Sequence, residues 1–509
     1  MLRPFALHRP RSLHGVSDLL VEHRGDSAIY AGGTELLLLL KEGVLRVRNL
    51  IDVKRVPGLG EITIEDGHVV IGATVTHRAA ERSDALRAAC PIVPAVARHV
   101  ANVRVRNAGT VGGNLAFADP HSDLATLFLT LDGSVRLWRP GEEREMPLAE
   151  FVRGPYETAR QEDEILTSVR LHPWPAGTVA AYVKFGMYER PTLGIALALT
   201  LDPETRSVAD ARVAVGCVGP RPERLSVAED LARGRELTDV LADAERLATV
   251  AADSVDPADD LHGSADYKRD MTRVFLRRAL QIVGARAMGR ETRARYYPHT
   301  VVVTSASRSV PSGISPGGGR RATMAVTAKE PPGAPRAADG DGPRDVAAGR
   351  AASRSVACRV NGQAVAVEVP AHALLLDVLR DRLGLKGAKR SCDVQVCGAC
   401  TVLVDGAPVS ACTYLAVEID GREVATVEGL AAVGGLHPLQ ESFLEHGAVQ
   451  CGFCTSGMLM TGCALLDEEP APSPERVAAY LRGNLCRCTG YRKVVEAIVA
   501  CGQPTGARS

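Results

Sequence analysis

The sequence predicts an α+β chain of several domains: an α+β N-terminal half, a flexible polar linker, a β-grasp module and an all-α module. Three observations predict it. At 509 residues the chain is too long for one core. Residues 303–354 are Ser, Gly, Pro, Arg and Ala with almost no apolar periodicity, so they cannot bury enough surface to offset their ordering entropy. Eight of the thirteen cysteines fall into two frames between Cys392 and Cys488.

Composition narrows the function classes. Lys+Arg and Asp+Glu balance at 60 each, so net charge points neither to nucleic acid nor to an anionic membrane. The N-terminal MLRPFALHRPRSLHG has no apolar signal-peptide core. Leu36–Leu40 is a short leucine run between Glu35 and Lys41, far below a membrane span. The expectation is a cytoplasmic chain with no transmembrane segment and no nucleic-acid partner.

In the N-terminal half, Ser27–Tyr30 reads as a strand ending at Ala31-Gly-Gly-Thr34, followed by a helix over Glu35–Lys41. A strand, a glycine pair and a helix start leave backbone N–H groups where an anion can sit, although Gly-Gly is also common in turns. Val69–His77 is a second strand-to-helix passage with Thr74 or Thr76 as cap, and His77 as a structural or capping residue. Arg106–Asn114 carries three glycines beside Thr110 and Asn114 and runs on to Ala118-Asp-Pro-His-Ser-Asp123. Two separated Gly-rich loops suit a diphosphate held between them. No G-x-G-x-x-G follows a strand here, which argues against a Rossmann site. Strands at Gly194–Leu201 and Ala211–Gly216 then precede helical runs at 236–255 and 266–288, with no titratable cluster that suggests chemistry. Treated as a coil, the linker of some 50 residues spans roughly 40 Å root-mean-square.

After it, strands at Cys358–Val360 and Val365–Val369 flank Asn361-Gly362, a strong hairpin signal. A helix over Leu374–Arg382 leads to Cys392, Cys397 and Cys400, and a hairpin at Asp405-Gly406 delivers Cys412. C-x4-C-x2-C with a distant fourth Cys is plant-type [2Fe–2S] spacing. Residues 436–500 are helical by pattern and hold Cys451, Cys454, Cys486 and Cys488, with Gly457–Leu466 apolar enough for a core helix. Zinc competes for the second frame, since two short-spaced pairs suit a tetrahedral ion. The first fits zinc poorly, because three thiolates crowd into nine residues beside Gly398, Ala399 and Thr401. Disulfides are disfavoured without a secretion signal. Cys90, Cys217, Cys358, Cys463 and Cys501 pair at no ligand spacing and read as small apolar residues.

AGGTELL, IGATVTH, RNAGTVGGNLAFADPHSDL, EDEILTSVRL, AYVKFGMYER and HGSADYKRDMTRVFLRRAL make residues 27–290 resemble the flavoprotein subunit of the molybdenum hydroxylases, the family of xanthine dehydrogenase and carbon monoxide dehydrogenase. CGACTVLVDG and QCGFC…NLCRCTGY make 356–501 resemble the same family's iron–sulfur subunit. The resemblance implies an FAD-binding PCMH-type (vanillyl-alcohol-oxidase-like) domain over 1–174 and a small α+β C-terminal flavoprotein domain over 175–290. Beyond the linker it implies a β-grasp 2Fe-2S ferredoxin domain over 356–432 and a helical [2Fe-2S]-binding domain over 436–503. It implies FAD held by Ile29, Tyr30, Ala31, Gly32, Gly33, Thr34, Glu35, Leu36, Thr110, Val111, Gly112, Gly113 and Asn114, with contacts from Asp123, Leu166 and Lys184. Two [2Fe-2S] clusters fall on the eight cysteines, with Gln450 between the second cluster and a pterin. Ser456 and Gln395 depart from the family, which often has Pro and Gly there.

No segment of several hundred residues remains for a molybdenum domain. The resemblance therefore implies an oxidoreductase component that passes electrons from a separate molybdopterin-binding large subunit through the clusters to FAD and an acceptor (NAD, quinone or other), in a dimer of heteromers. No side chain is expected to be catalytic. The competing readings are a stand-alone NAD(P)H-linked iron–sulfur flavoprotein reductase and a zinc-stabilised scaffold.

Overall fold

The computed structural model describes residues 2–186, 190–290, 300–306, 353–431 and 435–502. It begins with a three-stranded parallel sheet in the order Ala6–His8, Asn49–Asp52, Ser27–Tyr30. The crossover helix Leu13–Glu22 starts at Ser12, whose hydroxyl accepts from the Gly15 amide at 3.1 Å. The second helix, Leu36–Glu42, ends at Gly43 in the left-handed region (φ 72°). A five-stranded antiparallel sheet follows, ordered Ile62–Glu65, His68–Gly72, Ile165–Leu171, Ser134–Arg139, Glu142–Pro147. Of the six short helices from His77–Arg82 to Asp123–Leu129, five bury apolar residues against it, while Val103 of the helix Val103–Ala108 packs into the core of the C-terminal helical module.

The next sheet runs Glu223–Arg224, Val208–Gly216, Leu193–Leu201, Thr178–Phe185, Thr300–Ala306, with the helices Ala244–Asp253 and Ala265–Ala287 in its apolar core. Two expectations change here. Residues 303–306, assigned to the linker, complete an edge strand, because Val301, Val302 and Val303 pair in register with Lys184, Val183 and Tyr182. Ser353 and Arg354 likewise start the strand Ser353–Val360, so of the expected linker only 307–352 lies outside the described residues. The helical run at 236–255 is two helices, Leu237–Ala242 and Ala244–Asp253, broken at Asp243, whose carboxylate pairs with Arg235 and Arg246.

The β-grasp sheet is ordered Gln363–Pro370, Ser353–Val360, Glu423–Ala425, Thr401–Val404, Ala407–Ser410. Its helix Leu375–Asp377 continues as a π-helical turn over Val378–Arg382. Helices Pro438–Glu445, Thr455–Glu468, Pro474–Tyr480 and Arg492–Cys501 surround a core of Leu439, Phe443, Met458, Tyr480 and Ile498. Among the described residues no helix is long and apolar enough to cross a membrane.

The modules dock closely. Leu2, Phe5, Leu7, Leu37 and Leu40 share one apolar core with Val356, Leu375, Val402 and Val424 of the β-grasp module. The helical module is clamped by charge. Glu468 pairs with Arg78 and, at 2.6 Å, with Arg82, and it accepts from the Tyr480 hydroxyl at 2.8 Å. Burial works to raise the Glu468 carboxyl, but bonds from Arg78 and Tyr480 and the charge of Arg82 outweigh it and hold the group below its ordinary 4.5. A depressed carboxyl contributes stability above its unfolded-state value and loses it as the pH falls through the lower folded-state value. We therefore expect Glu468→Gln to lower the melting temperature at pH 7, with the gap to wild type closing on acidification below about 4.5. Melting curves from pH 7 to 3 check this, and a gap that stays constant would count against the clamp.

Candidate functional site

A cavity of about 390 Å³ lies between the two Gly-rich segments. Its first wall is the passage from Ser27–Tyr30 through Ala31-Gly-Gly-Thr34 into Leu36–Glu42. Its second is less loop-like than the glycines suggest. Val111–Phe117 is a helix, capped by the Thr110 hydroxyl, which accepts from the Gly113 amide at 3.0 Å. Gly112 sits inside its first turn because a Cβ there would stand 2.6 Å from Ala73 Cα. The walls meet at Gly32, where a Cβ would lie 2.2 Å from Ala108 O. Gly32→Ala must therefore part backbone from backbone. We expect it to destabilise the fold by about 1–3 kcal/mol and to release flavin, read by thermal melting and flavin content after gel filtration. Unchanged flavin content would remove Gly32 from the site.

Ile29, Ala31, Gly32, Gly33, Thr34, Glu35, Leu36, Thr110, Gly112, Gly113, Asn114, Asp123 and Leu166 all line the cavity. Tyr30, Val111 and Lys184 stand behind its walls. The Tyr30 hydroxyl donates to Glu418 of the β-grasp module at 3.1 Å, and Val111 is core. Lys184 is buried against Asp123 at 2.6 Å and donates to His99 O at 3.1 Å. Asp123 also accepts from the Tyr182 hydroxyl at 2.8 Å. Burial, and then the charge of Asp123, push that phenol well above its ordinary value.

Sequence reasoning passed over other wall residues, among them Phe117, Asp119, His121, Arg160 and Arg190. Arg190 ties the walls together by pairing with Glu35 at 3.0 Å and with Asp119. Burial opposes ionisation of Asp119, but hydrogen bonds from His121 and the Arg190 charge hold its carboxyl below the usual range. His77, read as structural, faces the cavity. Burial and the Arg106 charge lower its imidazole to about 4, so it is neutral at pH 7. His77 Nδ1 and His121 Nε2 are buried without a hydrogen-bond partner among the described residues, although Asp260 stands 3.5 Å from the latter. The orphaned His77 nitrogen and the amide-rich walls fit a polar ligand such as FAD. Only position in the folded chain marks these groups, apart from Asp119 and His121, which belong to the ADPHSD segment.

The cysteines gather as two quartets, the first a chain of sulfur contacts and the second two pairs. Cys392 reaches Cys397 and Cys412, and Cys412 also reaches Cys400. In the second quartet Cys451 Sγ lies 3.6 Å from Cys488 Sγ, and Cys454 reaches Cys486. Among the described residues no three His, Cys, Asp or Glu side chains are gathered to hold a single metal ion. Four thiolates in each quartet match the ligand number of a [2Fe–2S] cluster. Backbone amides point at the sulfurs. Cys392 Sγ accepts from Cys397 N at 3.3 Å, while Cys486 Sγ accepts from Thr489 N at 3.3 Å and Thr489 Oγ1 at 3.1 Å. Burial works to raise the Cys486 thiol, but these bonds bring it down to about 7. The donor set and its amide shell fit [2Fe–2S] clusters.

Contacts join the three sites in a line. Gln395, between Cys392 and Cys397, donates through Nε2 to Thr34 O on the cavity wall and accepts from Thr413 Oγ1 at 3.1 Å. Its φ is +56°, which is why Gly is favoured at this position, and here the side-chain bonds hold the strained backbone. Lys41 donates to Cys412 O at 3.1 Å. On the other side, Leu485 N donates to Cys397 O at 2.9 Å, and a Cβ on Gly457 would stand 2.1 Å from Gly398 O. Ser456 occupies the first turn of its helix, where Pro is also tolerated. The second quartet ends at the surface, with Cys451, Cys488, Gln450, Phe453 and Leu485 exposed.

Family models match along the described modules. One for the FAD binding domain in molybdopterin dehydrogenase matches 3–174, and one for the CO dehydrogenase flavoprotein C-terminal domain matches 188–283. A 2Fe-2S iron-sulfur cluster binding domain matches 358–431, and a [2Fe-2S] binding domain 426–499. Over 140 residues the chain is 51% identical to the nicotine 6-hydroxylase small subunit of Paenarthrobacter nicotinovorans, covering 28% of this chain and 84% of that one. A chain of the carbon monoxide dehydrogenase from Hydrogenophaga pseudoflava superposes with a TM-score of 0.53 at 31% identity, covering 56% of this chain and 99% of that one. A chain of quinoline 2-oxidoreductase from Pseudomonas putida 86 gives 0.53 at 28% identity, covering 57% and 99%.

Proposed function

This chain belongs to the molybdenum hydroxylase family, as a fusion of FAD-binding and [2Fe–2S]-binding components, and from that premise we propose that it carries electrons for a complex whose molybdopterin sits on a separate large subunit. Electrons enter at the exposed face around Cys451 and Cys488 and leave from the flavin cavity to an external acceptor. Bound clusters carry electrons singly, and flavin exchanges single electrons for pairs. The observation that carries the reading is the line of contacts from that face through Leu485 N–Cys397 O and Gln395–Thr34 to the cavity.

The chain's own residues hold the geometry. Thr110 and Gly112 shape the helix start beside the cavity, Arg190 ties the walls, and Gln395 keeps the first cysteine loop against the flavin module. Gln450 is exposed beside Cys451, and in the proposed complex it takes the position facing the partner's pterin. Phe453 and Leu485 supply apolar surface for docking.

Purification from the native source tests the proposal. A large molybdopterin protein is expected to accompany this chain, and the chain alone is expected to carry flavin and iron but no substrate-oxidising activity. Full activity of the lone chain without molybdenum would overturn the reading. So would anaerobic bleaching of flavin and clusters by NADH followed by turnover that a large subunit does not alter, which would make the chain a stand-alone reductase.

A further inference from the structure

The helix Val103–Ala108 of the flavin module points one side chain into the seam between the two cysteine loops. Asn102 caps this helix, its Oδ1 accepting from Val105 N at 3.2 Å. A Cβ on Gly483 would stand 2.7 Å from Asn102 Cβ, so the helical module abuts the cap directly. The next residue but one, Arg104, is 1% exposed, among the most deeply buried large side chains of the protein.

Its guanidinium reaches both iron–sulfur modules. Nε donates to Ser410 Oγ at 3.1 Å, and Nη2 donates to Val396 O at 3.3 Å. Ser410 precedes Cys412 by two residues, and Val396 adjoins Cys397. Nη1 donates to Asn484 Oδ1 at 2.8 Å, and Nη2 donates to Gly483 O at 2.8 Å. Asn484 precedes Cys486 by two residues and is itself bonded to Thr461. A rigid fork of donors suits four oxygens from three loops in a way an ammonium on a flexible stem does not.

We propose that Arg104 is a positioning residue for electron transfer, whose single charge, supplied by the flavin module and set between the two cysteine quartets, favours reduction of both clusters together. The inference rests on the assignment of the quartets to [2Fe–2S] clusters. Four thiolates make each cluster anionic, and reduction adds one electron with no bond made or broken. A buried cation beside both stabilises the added charge on either, and net charge and hydrogen bonding are levers on cluster potential. Because the same side chain touches both loops, its charge acts on both potentials in the same direction.

The test is a redox titration of the full chain, with clusters and FAD in place, reduced by dithionite through mediators and followed by electron paramagnetic resonance. In Arg104→Gln both clusters become harder to reduce, the oxidised-to-reduced ratio at a fixed potential rising on the order of tenfold for each. Arg104→Lys keeps the charge and stays within about threefold of wild type. Asn484→Asp leaves Arg104 in place but sets a carboxylate against it, and it moves both potentials the same way as Arg104→Gln. That variant decides the matter if Arg104→Gln fails to accumulate. Equal shifts in the Lys and Gln variants, a shift confined to one cluster, or no shift in Asn484→Asp would overturn the proposal. Wild-type protein with fewer than two [2Fe–2S] signals would overturn the cluster assignment itself.

Discussion

Cys451→Ala is expected to abolish electron entry from the large subunit while FAD and the first cluster remain bound. Cys451 is exposed and belongs to a module whose core is built mainly from its own Leu439, Phe443, Met458, Val477 and Ile498, with Val103 of the flavin module added at its edge. Its sulfur lies 3.6 Å from that of Cys488 in the second quartet, so its loss leaves one iron short of a thiolate. The cavity and first quartet lie beyond Gln395; the first quartet shares a different core with the N-terminal strand, and the cavity's Ala73, Leu166 and Ile165 belong to cores within the flavin module. Iron should fall from about four per FAD to about two, one of two resonance signals should vanish, and substrate-driven turnover should drop by orders of magnitude. If flavin and both clusters were lost together, the division into separately loaded sites would be wrong.

Asp123→Ala is expected to destabilise the flavin module strongly. The carboxylate lines the cavity, yet its strong bonds run the other way, to Lys184 at 2.6 Å and to the Tyr182 hydroxyl at 2.8 Å. Removing it strands a buried ammonium, and breaking such a pair costs about 3–5 kcal/mol. For a module of this size the melting temperature falls on the order of 10 °C. Replacing the pair together, Asp123→Ala with Lys184→Met, recovers much of the loss, because the uncompensated charge is gone. The double variant also separates two roles. If it regains stability and retains flavin, Asp123 supports the wall; if it regains stability but stays flavin-free, Asp123 holds the ligand. An unchanged melting temperature in the single variant would show that Lys184 is not held by this pair.

Much of this was legible because the chemistry is local. Ligand spacing constrains a few consecutive residues, and Cys392 to Cys412 and Cys451 to Cys488 carry that spacing openly. The hairpins were equally plain: Asn361-Gly362 and Asp405-Gly406 occupy the left-handed region in both turns, at φ 51° and 78° and at φ 49° and 78°. The helix Val111–Phe117 was hidden by Gly112 and Gly113, which lower helix propensity but are demanded by close approach to Ala73 and Thr110. The strand Thr300–Ala306 was obscured by polar sequence beside it, since an edge strand needs only one neighbour. The docking of modules left no trace in local pattern. Arg104 meets Asn484, Gln395 meets Thr34 and Arg78 meets Glu468 across hundreds of residues, and no periodicity encodes such pairs.

The core shared by Leu2, Phe5 and Leu7 with Val356, Val402 and Val424 also sets a timetable for synthesis. The first of these residues leave the ribosome roughly 350 residues before their partners, an interval of about 20–70 s at ordinary elongation rates. Throughout that interval the nascent flavin module presents an apolar face whose permanent cover has yet to be made. Termination anywhere before the β-grasp module leaves that face bare, a surface of the kind chaperones retain and proteases clear. Quality control of the flavin-binding half is thereby deferred to the arrival of the iron–sulfur half.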